Sequence, residues 1–129
     1  MTDNTIQVEV PAPSQTKPWG FHGIFDCSSC DLDKIQSADN IKSWLTDLVS
    51  KIQATTVSDA IVVTTADGYT AIQITNGSIV AQFVDATQHI YIDIFSNSEF
   101  NPSLVEDGIK QFFSAEKINK ILLPRNAAL

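Results

Sequence analysis

Residues 58–95 read SDAIVVTTADGYTAIQITNGSIVAQFVDATQHIYIDIF, and this stretch decides the fold. Four runs rich in β-branched and aromatic residues predict strands over residues 60–65, 69–75, 79–84 and 89–95. Asn76-Gly77 joins the second and third runs, and this dipeptide between two alternating runs is a strong β-hairpin signal. The sequence therefore predicts consecutive antiparallel strands here.

Two amphipathic helices flank these strands. Ser37 is a good N-cap for a helix over residues 38–53, whose apolar positions follow helical spacing. A second helix is predicted over residues 103–113, a first strand around residues 21–25, and a short last element over residues 118–123. This order predicts an α+β two-layer sandwich, with an antiparallel sheet covered on one face by two helices.

The first 18 residues are polar and interrupted by prolines, so we expect a flexible N-terminal arm over residues 1–18. Ile6, Val8 and Val10 alternate within it, which leaves open an edge strand or packing on a partner. The domain is predicted to span residues 19–125, and residues 126–129 form a tail.

Composition narrows the classes of function. The chain has 129 residues, with 15 acidic against 8 basic side chains and a net charge of −7. That charge repels phosphate backbones and argues against nucleic-acid binding. No apolar run is long enough to span a membrane, and the first residues do not resemble a signal peptide. With only two cysteines, Cys27 and Cys30, we expect a cytoplasmic protein.

Three segments resemble one protein family. They are GFHGIFDCSSCDL (residues 20–32), GYTAIQITNGSIVAQFVD (68–85) and YIDIFSNSEFNP (91–102). In their order and spacing they are similar to bacterial S-adenosylmethionine decarboxylases, especially short versions associated with phages. The resemblance implies a two-layer sandwich that assembles as a homo-oligomer and uses S-adenosylmethionine to supply spermidine synthesis. It also implies a pyruvoyl cofactor, which these enzymes make by self-cleavage at a serine in the central hairpin.

The resemblance also indicates that the catalytic positions have changed. Ungapped alignment from Asp93 and Phe95 places the family's cleavage serine at Gly77, its assisting histidine at Gln82 and its proton-returning cysteine at Asn97. None of these side chains performs the family's role, so we expect no self-cleavage and no cofactor.

Ser78 is the alternative cleavage residue, because a one-residue shift would place its hydroxyl at the cleavage point. Strand alternation should turn Ser78 to the opposite face, unless a bulge at Gly77 restores its direction.

The remaining candidates are individually weak. Cys27 and Cys30 are interpreted as reduced loop thiols, because no nearby helix start or second ligand pair favours a redox or zinc site. No metal site is expected. The proposed ligand-binding residues are His22, which the resemblance places near the ligand, and Asp67 and Tyr69, which flank a turn. The side chains interpreted as structural, turn or strand-end residues are His89, Asp26, Asp85 and Asp93.

Three hypotheses for function stay open. The chain binds S-adenosylmethionine or a related small molecule without turnover, alone or as a regulatory partner of an active decarboxylase. Alternatively, it consumes S-adenosylmethionine without a pyruvoyl group, for example by lyase chemistry that needs a positioned base and a sulfonium leaving group. The third hypothesis is an active decarboxylase that self-cleaves at Ser78.

Overall fold

A computed structural model describes residues 5–7 and 18–126 of the chain. The strands are β1 (Thr5–Gln7), β2 (Pro18–Ser28), β3 (Ile61–Thr64), β4 (Gly68–Ile74), β5 (Ser78–Val84), β6 (His89–Ser96) and β7 (Lys117–Asn126). The helices are α1 (Leu32–Ile35), α2 (Ala38–Lys51) and α3 (Pro102–Phe113). All seven strands form one sheet in the order β1-β7-β2-β6-β5-β4-β3, in which β1 pairs parallel with β7 and the other pairings are antiparallel.

Side-chain caps fix where the two long helices begin. The Ser37 hydroxyl oxygen accepts a hydrogen bond from the Asn40 backbone N–H (3.1 Å), which confirms the predicted N-cap of α2. Asn101 caps α3 by accepting from the Ser103 N–H (2.9 Å), and Pro102 occupies the first turn, where a missing N–H costs little. None of the helices in the described part of the chain is long and apolar enough to cross a membrane.

Both long helices cover the same face of the sheet. Trp44 of α2, Phe83 of β5 and Phe113 of α3 form a buried aromatic triad, with ring centroids 5.3 to 6.1 Å apart. The inward side chains of the central strands complete the core, including Phe25, Ile92 and others. The predicted α+β two-layer sandwich is therefore confirmed, with the short α1 as an additional helix.

The opposite face of the sheet, called the open face below, is not covered by any helix among the described residues. Ile61 and Val63 on β3 are each 47% exposed, and Ile74 and Tyr91 are also exposed. Half-buried apolar side chains continue across the centre of this face: Ile24, Ile72, Val80, Ile121 and Leu123. Such an extended apolar surface is unusual for a monomer.

The last strand differs most from the sequence prediction. Instead of a short element over residues 118–123, β7 spans ten residues and pairs with both β1 and β2. The sequence does not show the full strand because Lys120 interrupts the alternation of apolar and polar residues. This lysine occupies an inward position and is only 2% exposed. Its Nζ lies 2.9 Å from Oε2 of Glu106 on α3, so the buried ammonium faces a carboxylate.

Four residues of the predicted N-terminal arm belong to the sheet: Thr5–Gln7 form β1, and Pro18 begins β2. β1 pairs with residues 120–122 of β7 and is an edge strand. An edge strand is one of the two possibilities that the alternation of Ile6, Val8 and Val10 indicated. Val8, Val10, the rest of the arm through residue 17, and residues 127–129 of the tail lie outside the described residues.

Candidate functional site

The loop between β4 and β5, residues 75–77, is held by its own hydrogen bonds. The Gly77 N–H donates to Oγ1 of Thr75 (2.9 Å), and the Thr75 N–H donates to the Gly77 carbonyl oxygen (3.1 Å). The predicted hairpin is confirmed. However, neither Asn76 nor Gly77 has a positive φ, so the turn is not the type I′ turn that Asn-Gly favours.

Gly77 packs directly against the backbone of β6. A Cβ atom at this position would lie 1.9 Å from the carbonyl oxygen of Phe95 and 2.8 Å from its carbonyl carbon. Both are backbone atoms, so they cannot rotate away as the end of a flexible side chain would. Any side chain at position 77 therefore requires the loop and β6 to separate.

Ser78, the alternative cleavage residue, continues a regular ladder. It pairs with Ile74 on β4 and with Phe95 on β6, and the register is unbroken from Ser78 to Val84. The bulge that would reorient Ser78 is absent from this hairpin. Because directly opposed residues share a face, the Ser78 side chain lies on the open face beside Phe95.

The other two family positions lie in different surroundings. Asn97 is beside the loop, where its Oδ1 accepts a hydrogen bond from the Asn76 side-chain amide (2.9 Å). Gln82 lies four residues beyond Ser78 on β5, about 13 Å along the strand. Its Oε1 accepts from the Thr70 hydroxyl (2.6 Å). The structure thus groups positions 77, 78 and 97 and leaves position 82 apart.

His22 lies at the same end of the sheet and pairs with a carboxylate. Its Nε2 is 3.1 Å from Oδ1 of Asp93. Asp93 pairs with Val80, near the hairpin end of β5. Because an ionised carboxylate can only accept a hydrogen bond, Nε2 must carry the proton. In the neutral ring, Nδ1 is then a hydrogen-bond acceptor. This is the arrangement of a histidine base oriented by a carboxylate. The interpretation of Asp93 as a turn or strand-end residue is wrong, because it lies within β6, and Asp26 likewise lies within β2.

Aromatic and cationic side chains surround this pair. The Phe95 ring stacks on His22 with a centroid separation of 6.3 Å and meets Trp19 edge-to-face at 5.5 Å. The Arg125 guanidinium lies 5.5 Å from the Phe95 centroid, and Trp19 is 54% exposed. These five residues, His22, Asp93, Phe95, Trp19 and Arg125, are called the His22 cluster below. They offer aromatic faces, a carboxylate and a guanidinium to one ligand.

Asp67 and Tyr69 lie far from this cluster. Tyr69 lines an open cavity of about 400 Å³ with Gln36 and Asp85, at the opposite end of β4 from the Gly77 loop. Asp67 contributes a carbonyl oxygen that accepts the Asp85 N–H (2.9 Å). His22 and Tyr69 therefore do not share one pocket.

Of the two cysteines interpreted as loop thiols, Cys30 does lie in the loop after β2, but the interpretation is wrong for Cys27. Cys27 belongs to β2, and Cys27 and Cys30 are buried, 0% and 1% exposed, and free. Burial raises the pKa of Cys30 to about 11, and burial, with Cys30 nearby, raises the pKa of Cys27 still more. Thiols that stay protonated are poor nucleophiles and metal ligands near neutral pH. Over residues 5–7 and 18–126, no group of three or more histidine, cysteine or acidic side chains is placed to hold a metal.

Comparison with known proteins decides the family. A family model described as S-adenosylmethionine decarboxylase matches residues 21–126. The chain belongs to the S-adenosylmethionine decarboxylase family. Among solved structures, the adenosylmethionine decarboxylase from Aquifex aeolicus VF5 has a similar fold, with a TM-score of 0.71 and 21% identity. The match covers 84% of this chain and 92% of that one. No curated protein sequence matches.

Membership in the S-adenosylmethionine decarboxylase family confirms the resemblance of the three segments. That resemblance pointed to Gly77, Asn97 and His22, which the structure places at one end of the sheet. It gave no sign that Trp19 and Arg125 join them. One feature of the sequence does connect two members of the cluster: Asp93 and Phe95 are two residues apart on a predicted strand, so their side chains lie on the same face of β6.

Proposed function

We propose that this decarboxylase-family protein binds S-adenosylmethionine at the His22 cluster without converting itself to the pyruvoyl form, and acts as a binding or regulatory homologue. The contact between Gly77 and the Phe95 carbonyl carries the proposal. Self-cleavage needs a hydroxyl at the cleavage position, and this backbone leaves no room even for the first carbon of such a side chain.

The residues of the hairpin do not fit a pyruvoyl precursor. Ser78 sits in a regular ladder, and the carbonyl before it is bound by the Thr75 N–H. The amides at positions 82 and 97 are neither acids nor bases near neutral pH, and each is engaged with a neighbouring side chain. We therefore expect the chain to work with no cofactor.

The His22 cluster matches the chemistry of S-adenosylmethionine. The ligand carries a sulfonium cation, an α-amino acid and an adenine ring. The exposed ring of Trp19 suits a cation or a flat ring, and the Asp93 carboxylate attracts positive charge. Arg125 can pair with the ligand carboxylate. The net charge of −7 adds a weak general attraction for a cation.

Intact mass under denaturing conditions tests the first half of the proposal, with a single species at full chain mass expected. Calorimetric titration with S-adenosylmethionine tests the second half, with saturable binding and thermal stabilisation expected. Asp93→Asn should weaken binding several-fold, whereas Asp59→Asn, an exposed loop carboxylate, should not. Two fragments divided at residues 77 and 78, with a pyruvoyl mass change, would refute the first half. Absence of both binding and stabilisation would refute the second.

The His22–Asp93 pair favours a second candidate, an S-adenosylmethionine lyase. Nδ1 of His22 would take a proton from the carbon next to the carbon that is bonded to sulfur. A double bond would form between these two carbons as the carbon–sulfur bond breaks, and sulfur would leave as a neutral thioether. Chromatography of a reaction with the unprocessed chain would show thioether release. Loss of that release in His22→Gln, with ligand binding retained, would support this candidate over binding alone.

The open face supports assembly with a second copy, or with an active decarboxylase of the same fold. Its exposed residues Ile61, Val63 and Ile74 would otherwise remain in water. Light scattering on the purified chain should give a dimer or larger. Val63→Lys should lower that mass, and a wild-type chain that stays monomeric would contradict self-assembly.

A further inference from the structure

A second pocket lies on the open face, about 13 Å along β2 from His22. Its volume is about 290 Å³, and β2, β6 and β7 provide its walls. Register places Asp26 opposite both Asn119 and Tyr91, and Ser28 opposite Lys117. Polar side chains therefore form two rows on a face that is otherwise largely apolar: Asn119, Asp26 and Tyr91, then Lys117, Ser28 and His89. This group is called the polar pocket below.

The polar pocket contains one negative and one positive side chain, and they are not paired with each other. Among the described residues, neither the Asp26 carboxylate nor the Lys117 ammonium makes a side-chain hydrogen bond or ion pair. They occupy diagonal positions on neighbouring antiparallel strands, which places their Cα atoms about 7–8 Å apart. A ligand that carries both charges on one carbon atom can lie between them and contact both.

The wall formed by β6 offers further acceptors. Nδ1 of His89 lies 2.7 Å from the Thr87 carbonyl oxygen. A carbonyl oxygen only accepts, so Nδ1 carries the proton, and Nε2 of the neutral ring is an acceptor. The Tyr91 ring stacks nearly parallel to His89, with centroids 5.8 Å apart. The Tyr91 hydroxyl and His89 Nε2 thus add to Asp26 as partners for an ammonium group.

In the next row of the open face, the β2 and β7 positions are apolar, and Asp93 of β6 lies at the other side of Ile24. Ile24 and Ile121 are paired across β2 and β7 and are half-buried. A ligand side chain that extends from the polar pocket along the strands would cover these two residues and gain hydrophobic contact.

We propose that the polar pocket binds a free α-amino acid with an aliphatic side chain. Asp26 holds its ammonium group, Lys117 holds its carboxylate, and Ile24 and Ile121 contact its side chain. A ligand with only one charge would leave either Asp26 or Lys117 without a partner, so the pocket selects a zwitterion. The site adjoins the His22 cluster, because Ile24 pairs with Asp93, but it uses none of the five residues of that cluster and does not depend on S-adenosylmethionine.

Nuclear magnetic resonance of the isotope-labelled full chain tests this site, with L-leucine as the probe. The backbone amides of Ser28, Tyr91 and Asn119 should shift and saturate. Isocaproate, which lacks the amino group, and isoamylamine, which lacks the carboxylate, should each bind at least about ten-fold more weakly. No saturable shift at these amides, or equal binding of either analogue, would overturn the proposal.

Variants assign the two charges. Asp26→Asn and Lys117→Met should each weaken L-leucine binding about ten-fold, while Lys42→Met, exposed on α2, should have no effect. His22→Gln should also leave L-leucine binding unchanged, so failure here is distinguishable from failure of the S-adenosylmethionine proposal. Wild-type affinity in Lys117→Met would refute the zwitterion site, even if Asp26→Asn failed to fold.

Discussion

Gly77→Ser places a hydroxyl at the position that the resemblance assigns to self-cleavage, and we expect it to destabilise the protein without activating it. Ordinary contact begins near 3.4 Å, whereas the new Cβ would start 1.9 Å from the Phe95 carbonyl oxygen. The loop and β6 must therefore move apart by roughly 1.5 Å. No side-chain rotation can relieve this contact, because the obstacle is backbone.

That movement has a cost that follows from the local contacts. It strains the two hydrogen bonds between Gly77 and Thr75 and the hydrogen bond that the Asn76 side-chain amide donates to Oδ1 of Asn97. Each such bond contributes about 1 kcal/mol. Overpacking alone costs about 1–3 kcal/mol. We expect the free energy of unfolding to fall by about 2–4 kcal/mol.

Denaturant unfolding measures this change, and intact mass on the same sample reports any cleavage. Gly108→Ala is the matched control, because its new methyl meets side-chain ends rather than backbone: Lys51 Nζ at 3.1 Å and Asp47 Oδ2 at 3.3 Å. Replacing a glycine within α3 should raise stability by up to about 1 kcal/mol. A Gly77→Ser protein within about 0.5 kcal/mol of the wild type would refute the steric reasoning. Cleavage in that variant would show that the hairpin can still reach the self-processing geometry.

Three further predictions concern stability. Between about pH 9 and 11 the Cys30 thiol ionises in the unfolded chain before it does so in the folded one. The free energy of unfolding should therefore fall as pH rises, by up to about 1.4 kcal/mol per pH unit. If Cys30→Ala showed the same pH dependence of stability as the wild type, this reasoning would be wrong. Glu106→Gln removes the carboxylate that lies 2.9 Å from the buried Lys120 ammonium and should cost about 3 kcal/mol in denaturant unfolding, unlike exposed Glu116→Gln. Ser37→Ala removes the α2 cap and should lower stability by about 1 kcal/mol, whereas Ser37→Asp should retain it.

The sequence predicted those helices and strands in which the spacing of apolar residues matches the spacing of buried positions. In α2, the buried residues Ile41, Trp44, Leu45 and Leu48 are the ones that helical spacing selected. Helix α1 was missed because its four residues contain only one buried side chain, Ile35. Strand β7 was underestimated because Lys120 faces inward, and its partner Glu106 lies on a different element. Pairing with a distant residue has no local signal.

The candidate site was less predictable for the same reason. His22 and Asp93 are 71 residues apart, and only the β2–β6 register brings their side chains together. The resemblance predicted that the family's cleavage position falls on Gly77, but not that the backbone carbonyl of Phe95 excludes a side chain there. The polar pocket likewise depends on three strands whose relative register the chain order does not reveal.

Strand β2 lies between β6 and β7, so its two partners come from the far part of the chain. His22 pairs with Phe95 on one side and, about a hundred residues away in sequence, with Leu123 on the other. Contacts between residues so far apart in sequence slow folding, because the entropy cost of closing a long loop comes before the strand pairing stabilises the chain. During synthesis, β2 emerges early and must wait for β7 with an unpaired edge, which is where premature aggregation begins. Truncation before Lys117 should therefore abolish soluble expression rather than merely trim the sheet.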